Sequence, residues 1–486
     1  MDSSSGSRTR VVVALDFGTT FSGISYALLT GKEAKSFFWK FDSGFSPKTP
    51  TRIEFSKTPI EWFKLNLLHR DDLPSDVRNS RKFEELTEAR EAINVTAVNA
   101  TARYLGKIWK VFCEKLQYNI PDTEIQVSVT VPVLWPLYAR QAMEEALNRA
   151  GILNENVVLA PKFLIEPEAA ALAFFSNAHY FETNISKLKP GDTVMICDCG
   201  GGTVDLQDIT FSRWESDIKR HFKDNFPTQK IYLPIKWAAS RQRRMPIGQG
   251  DDVTFTHADL ASIFDPVVGK ITHLIEKEML AISAKLSEDV SYLVVAGGFG
   301  QNTYLRQKVA ETVARVSPTT NILDYPNGDG WNAVSMGAVT KALQAQAIQQ
   351  QVLVTSRIVR ADWGVRAGHG NSIIRLVKEN ESLDATRPNR RNVPAEALSA
   401  EYHTGRAGFS IRVCRADQRK NESQVYRNVC RINWKTVDVG LKPDMNAGLK
   451  APLEIDFIWD GAEMEFSLFY DGVQQSSVEI EHYWNV

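Results

Sequence analysis

Residues 10–351 are predicted to form an α/β fold, and residues 352–486 a separate, mostly β module. Three observations lead there. Short apolar runs of strand length alternate with longer segments of helical periodicity, a layer pattern of strands covered by helices. Three glycine-bearing turns each follow such an apolar run: Asp16-Phe17-Gly18-Thr19-Thr20, Asp198-Cys199-Gly200-Gly201-Gly202-Thr203-Val204-Asp205 and Gly297-Gly298-Phe299-Gly300. Beyond the glutamine-rich run Gln344–Gln351 the hydrophobic period drops to two.

In chain order, Val11–Leu15 is continuously apolar and β-branched, as a strand buried on both faces requires. Ser22–Leu29 reads as its hairpin return. Residues 36–118 are more polar and read as a helical insertion, with helices at Ser80–Asn94 and Ala97–Lys115. Ile125–Val131 is a strand. A helix follows, with Pro136 at its first position, an apolar stripe of Ala139, Ala142, Met143, Ala146, Leu147 and Ala150, and Gly151 as its C-terminal cap. Val157–Ile165 is a further strand, Pro167–Ser176 a short helix and Thr193–Cys197 a strand. Trp214–Phe226 is a charged helical stretch. Thr256-His257-Ala258-Asp259 is a capping box opening a helix that runs to about Leu286. Val290–Ala296 is a strand, with helices at Thr303–Val316 and Asn332–Gln350. In the last module Phe409–Val413, Leu453–Ile458, Glu465–Tyr470 and Val478–Tyr483 alternate as strands, Asp471-Gly472 is a hairpin turn, and Arg387–Asn392 reads as an exposed basic loop.

The glycine turns carry the chemistry. A glycine at a strand end lets backbone N–H groups close on an anion, because no Cβ blocks the approach. Threonines add hydroxyl donors. Asp16 and Asp198, which lead two of these turns, are placed to hold a magnesium ion, mostly through its waters. One such turn is ordinary tight-turn chemistry; two aspartate-led turns after buried strands point to a paired phosphate site. The G-x-x-x-x-G-K-S/T loop is absent, which excludes that class of nucleotide-binding protein.

Composition narrows the rest. The 486 residues are 43% hydrophobic, enough for sizeable cores. The 57 basic and 58 acidic residues leave a formal charge of −1, with no global pull toward nucleic acid or an anionic membrane. Five cysteines, Cys113, Cys197, Cys199, Cys414 and Cys430, do not suggest a disulfide framework, and Cys197 with Cys199 lacks the second pair that a zinc site needs. Residues 1–9 are polar and read as a disordered N-terminus without a signal-peptide core. No stretch has the length of a membrane helix, so a cytoplasmic location is the expectation.

The three turns resemble the two phosphate loops and the adenosine loop of the actin, sugar-kinase and heat-shock-chaperone ATPase superfamily. Leu164–Ala171 resembles its first connecting helix and Ala333–Ala338 its second. Thr130-Val131-Pro132 and Glu166-Pro167 before an alanine-rich helix resemble the branch of the 70 kDa heat-shock chaperones. Gly297-Gly298-Phe299-Gly300 with Tyr304-Leu305 resembles the divergent subfamily without an ordinary peptide-binding domain. The likeness covers residues 10–345. It implies a two-lobed actin-like ATPase fold built on ribonuclease H-like repeats, with lobe I at 10–190, lobe II at 191–330 and a helix at 331–351 returning to lobe I. It implies ATP and magnesium as cofactors. Asp16 and Asp198 would organise the metal; Gly18, Thr19, Thr20, Gly200, Gly201, Gly202 and Thr203 would face the phosphates; Glu166 would orient water; Lys64 would stand near the γ-phosphate; Gly297 and Gly298 would pack against the nucleoside. Each has a plainer reading beside it. Lys64 can be a surface or groove lysine, Glu166 can start a helix where its charge suits the dipole, and Asp205 can be structural. His221, His257 and His273 stand alone, and Arg241, Arg243 and Arg244 read as a solvated face.

The chain departs from the family between residues 206 and 290, where the second lobe looks short and the glycine pair that closes over the phosphates is absent. Either the lobe has lost strands or the chain is incomplete there. No lid helix follows the β module, so client-peptide binding does not carry over. Three functions stay open: a slowly ATP-hydrolysing, chaperone-like protein whose lobes close on nucleotide and which meets protein partners or co-chaperones; a nucleotide-sensing module with little turnover; and a small-molecule kinase.

Overall fold

The structure, a computed structural model, describes all residues except 1–8, 31–32, 42–46, 56–57, 120–122, 134, 177–188, 190, 201–217, 219–220, 233–251, 326–329, 347–353, 360, 368–371, 395–396, 404–405, 418–424, 436–451, 460–463, 476–477 and 483–486. The chain divides into two compact units. One holds nearly all of the first 352 residues; the other holds Leu353–Val486 with the short segment Pro136–Tyr138.

The first unit is α/β. Strand β1 (Thr9–Asp16) pairs antiparallel with β2 (Phe21–Thr30), which also pairs with β3 (Glu33–Phe38) and β4 (Lys48–Pro50). The hairpin β5 (Arg52–Phe55) and β6 (Thr58–Glu61) follows. Then come helices α1 (Ser75–Arg78), α2 (Arg81–Glu91) and α3 (Ala97–Asn119). The expected helical insertion therefore opens with strands, β3 to β6, before its helices begin. Their sequence is too polar to announce strands; β3 and β4 gain their pairing from β2, and β5 and β6 from each other.

Strand β7 (Thr123–Val131) lies parallel to β1, and α4 (Leu137–Arg149) crosses back from it. Pro136 directly precedes α4, and Gly151 takes φ 67°, the left-handed cap that its position foretold. The strand expected at 157–165 is broken into β8 (Val157–Leu159) and β9 (Leu164–Ile165). Pro161 lies between them and cannot donate to a ladder. Helix α5 (Glu166–Ser176) follows directly.

A second, three-stranded parallel sheet runs β10 (Val194–Asp198), β13 (Tyr292–Ala296), β14 (Asn321–Leu323). Between its first two strands lie the hairpin β11 (Gln229–Tyr232) and β12 (Asp252–Phe255) and the long helix α6 (His257–Leu286). Helices α7 (Thr303–Val316) and α8 (Ala333–Ala345) complete the unit. The alternation of β13 explains its continuous apolar run. Tyr292, Val294 and Ala296 enter a core shared with α5, α8 and β1, while Leu293 and Val295 enter another shared with α6 and α7. Both faces are covered, so no position can be polar.

Thr256 caps α6 as the sequence foretells: its Oγ1 accepts the Asp259 N–H at 3.2 Å, and Asp259 Oδ2 accepts the Thr256 N–H at 2.8 Å. Thr256→Ala, which removes one arm of that box, is expected to cost about 1 kcal/mol in urea unfolding. A loss indistinguishable from zero would mean that packing of α6 alone sets its start.

The second unit is a β-sandwich. One sheet is built from β16 (Trp363–Arg366), β17 (Ile373–Val377), β20 (Leu398–His403), β21 (Arg406–Asp417), β22 (Val425–Lys435) and β26 (Val478–His482). The other has β19 (Asn389–Val393), β23 (Leu453–Trp459), β24 (Met464–Tyr470) and β25 (Val473–Gln474). A small pair, β15 (Ser356–Ile358) with β18 (Ser382–Asp384), forms a sheet of its own, and its Leu383 enters the core that the two larger sheets share. Val365, Ile411 and Ile432 from the first sheet meet Ile455, Phe457 and Leu468 from the second. Asp471 and Gly472 take φ 50° and 71°, the turn that joins β24 to β25. Residues 387–392, expected as a loop, mostly enter strand β19. Arg390 forks onto Asp456 of β23 at 2.6 and 2.9 Å, a cross-strand partner that no local pattern reveals. Among the described residues no helix is long and apolar enough to cross a membrane.

Candidate functional site

A cavity of about 540 Å³ opens where the C-terminal ends of β1, β10 and β13 converge. Three carboxylates and two lysines face it. Asp16 ends β1, Asp198 ends β10 and Glu166 begins α5. Asp16 and Asp198 thus come from two different sheets, although 182 positions of sequence numbering separate them on the chain.

Lys64 is set by an unusual turn. Trp62 takes φ 58°, a left-handed conformation that a bulky aromatic rarely adopts. The chain then buries Phe63 completely, against Phe17 and Tyr104, and sends Lys64 into the cavity. Lys64 is only 4% exposed. Its Nζ donates to Glu166 Oε1 at 2.9 Å and sits over the rings of Phe17 and Trp135. The surface-lysine reading of Lys64 is thereby overturned. Glu166 both starts α5, where the helix dipole favours its charge, and holds Lys64.

Asp16 is equally buried and accepts a 2.5 Å hydrogen bond from Lys48 Nζ. Sequence reading missed Lys48 altogether. It lies on β4, three residues with no motif of their own, and only the register of β4 on β2 brings it to the cavity. Among the described residues Asp198 has no such close partner. Burial, and after it the like charge of Glu166, push its carboxyl up to about 7.

The remaining expected residues sort as follows. Gly18, Thr19, Thr20, Gly200, Gly297 and Gly298 all line the cavity. Gly201, Gly202, Thr203 and Asp205 lie outside the described residues, as does most of 206–250. Gly297 is required by the chain itself: it has φ 85°, and a Cβ there would stand 2.3 Å from Cys199 O and 2.6 Å from Asp198 Oδ1. At Gly200 a Cβ would meet nothing within 4 Å, so no packing of the described chain demands a glycine there. Such open space beside a strand end is what a close-approaching ligand needs. His221, which stood alone in the sequence, also lines the cavity. So does Trp331, set edge-on to Phe21 and directly above Gly298. Neither carried a motif. Cys197 and Cys199 bring their sulfurs to 3.5 Å, on the strand face that looks away from Asp198 and into the α6–α7 core.

The donor set fits a polyphosphate carrying its own divalent ion. Ammonium groups and open backbone suit phosphate oxygens, and carboxylates suit the waters of magnesium. Among the described residues no three His, Cys, Asp or Glu side chains cluster closely enough to hold a metal by themselves. An ion here would depend on phosphate oxygens and water for most of its ligands.

No protein-family profile matches the chain. Curated relatives do. Heat shock 70 kDa protein 12B of Homo sapiens is 25% identical over a match covering 44% of this chain and 42% of its own length. Heat shock 70 kDa protein 12A of Mus musculus is 26% identical with the same coverage of each chain, and its Homo sapiens counterpart is 24% identical. The match thus spans less than half of those relatives. These similarities bear out the resemblance in the motifs: the chain is a divergent relative of the 70 kDa heat-shock proteins.

Proposed function

We propose that this chain binds ATP with magnesium in the cavity between β1 and β10, as a chaperone-like protein of the actin-type ATPase superfamily. One observation carries the reading. Two aspartate-led strand ends from separate sheets share a cavity with two buried lysines. In this reading the two sheets with their helices are the two lobes. Thr19, Thr20 and the open Gly200 receive phosphates, with Gly201, Gly202 and Thr203 continuing that loop. Asp16 and Asp198 hold the waters of the magnesium ion, which neutralises phosphate charge when bound. Lys64 faces the terminal phosphate, Glu166 orients water, and Gly297, Gly298 and Trp331 border the nucleoside. Closure of the lobes on nucleotide would signal to partners, in a cytoplasmic setting, and requires tighter binding by the closed state.

A second reading, a nucleotide sensor with little turnover, has its own support. Glu166 is engaged by Lys64 at 2.9 Å, so the carboxylate that would orient water is already held.

The test is thermal unfolding with and without excess magnesium ATP, followed by phosphate release. At about 100 times the dissociation constant, a ligand adds about 2.7 kcal/mol to the folded state and moves the melting curve visibly. A shift with phosphate release supports the ATPase, and a shift without release supports the sensor. No shift in a folded sample sinks both.

A further inference from the structure

The register of three strands lays Lys48 onto Asp16. Asp16 pairs with Gly23 across β1 and β2, and Gly23 pairs with Lys48 across β2 and β4. Directly opposed residues of antiparallel strands share one face, so the three form a row on the same side of the sheet. Two strand spacings separate the ends of that row, about 10 Å, which a lysine spans only by lying flat across the middle strand. Gly23 makes this possible. A Cβ on Gly23 would stand 3.2 Å from Lys48 Cγ and 3.4 Å from its Cε, so the stem runs where a side chain would be. The ammonium arrives 2.5 Å from Asp16 Oδ2, with Lys48 only 9% exposed.

A buried ammonium on a buried carboxylate is costly unless the pairing is good, and removing one partner leaves the other uncompensated. The row therefore fixes a positive charge at the very carboxylate to which the ATP reading assigns a magnesium ion. We propose that Lys48, delivered across Gly23, is a phosphate-neutralising residue that does part of the work of the divalent cation, so that this site retains nucleotide when magnesium is removed. The inference rests on the ATP reading and deepens it. A nucleoside triphosphate brings several negative charges into a cavity that, among the described residues, already has more carboxylates than ammonium groups. With Lys48 on one side and Lys64 on the other, the chain supplies two fixed cations of its own. Asp16 then anchors Lys48 as well as metal-bound water.

The experiment is calorimetric titration of the full chain with ATP, once in excess magnesium and once in excess EDTA, for wild type, Lys48→Met and Lys48→Arg. Wild type is expected to lose about tenfold or less in affinity on metal removal, since the fixed ammonium still offsets phosphate charge. Lys48→Met is expected to lose about a hundredfold more than wild type in EDTA, and far less in magnesium, as truncating one side of a buried charge contact does. Lys48→Arg should restore most of the EDTA affinity. A merely structural pair would lower stability in Lys48→Met without changing the ratio of the two affinities, and an unchanged ratio overturns the proposal. If Lys48→Met does not fold, Gly23→Ala displaces the stem while keeping both charges, and the same change in ratio, smaller in size, is required of it. Wild type that binds in magnesium but not at all in EDTA sinks this inference alone. Wild type that binds in neither sinks the ATP reading, and this proposal with it.

Discussion

Gly337→Val is expected to destabilise the protein by about 3 kcal/mol or more, at the upper end of overpacking effects. The cause is a backbone-to-backbone crossing. Gly337 of α8 lies against Ala169 of α5, where a Cβ would stand 1.7 Å from Ala169 O, 2.5 Å from its carbonyl carbon and 2.9 Å from its Cα. None of these atoms belongs to a side chain that can rotate away. Either α5 or α8 must move, and both are anchored in the core that joins β1 to β13. Urea unfolding followed by circular dichroism reads the loss directly. A variant within 1 kcal/mol of wild type would mean that the two helices separate freely. Because α5 begins at Glu166, a displaced α5 would also disturb the Lys64–Glu166 pair.

Asp198→Asn is expected to abolish the stabilisation by magnesium ATP, a loss of about 2.7 kcal/mol at 100 times the wild-type dissociation constant. It should do so without harming the ligand-free protein. Asp198 is partly buried at the cavity wall, and both desolvation and the neighbouring Glu166 disfavour its charge. Replacing it with a neutral isostere relieves that penalty, so the empty variant should melt at or above the wild-type temperature. The opposite signs make the test sharp. An empty variant that melts lower would show that Asp198 is a structural carboxylate. A variant that keeps the ATP shift would show that the nucleotide does not depend on it.

Much of this architecture is legible in the sequence, for local reasons. The capping box at Thr256, the Pro136 start and Gly151 end of α4, and the Asp471-Gly472 turn are determined within a few residues, and each is found where its pattern lies. The buried strands announce themselves because both faces of β1 and β13 are covered. What stayed hidden was set by partners distant on the chain. Strands β3 and β4 are strands because β2 pairs with them. Residues 389–393 are a strand because Asp456 and its neighbours on β23 receive Arg390. The same holds at the site. Asp16, Gly18 and Asp198 stand in motifs, whereas Lys48 reaches the cavity by strand register and Trp331 from the turn that precedes α8. Lys64 lay between the two: a lysine in an aromatic segment, whose burial depends on the turn at Trp62.

That turn has a consequence for how the sequence can drift. Position 62 is constrained by a dihedral angle more than by the chemistry of its side chain. Its φ of 58° suits glycine, asparagine or aspartate, and resists valine, isoleucine or threonine, whose branching at Cβ crowds the left-handed region. Descendants of this chain are therefore free to lose the tryptophan while keeping the bend. Conservation sought as amino-acid identity would overlook it, and conservation of backbone handedness would not.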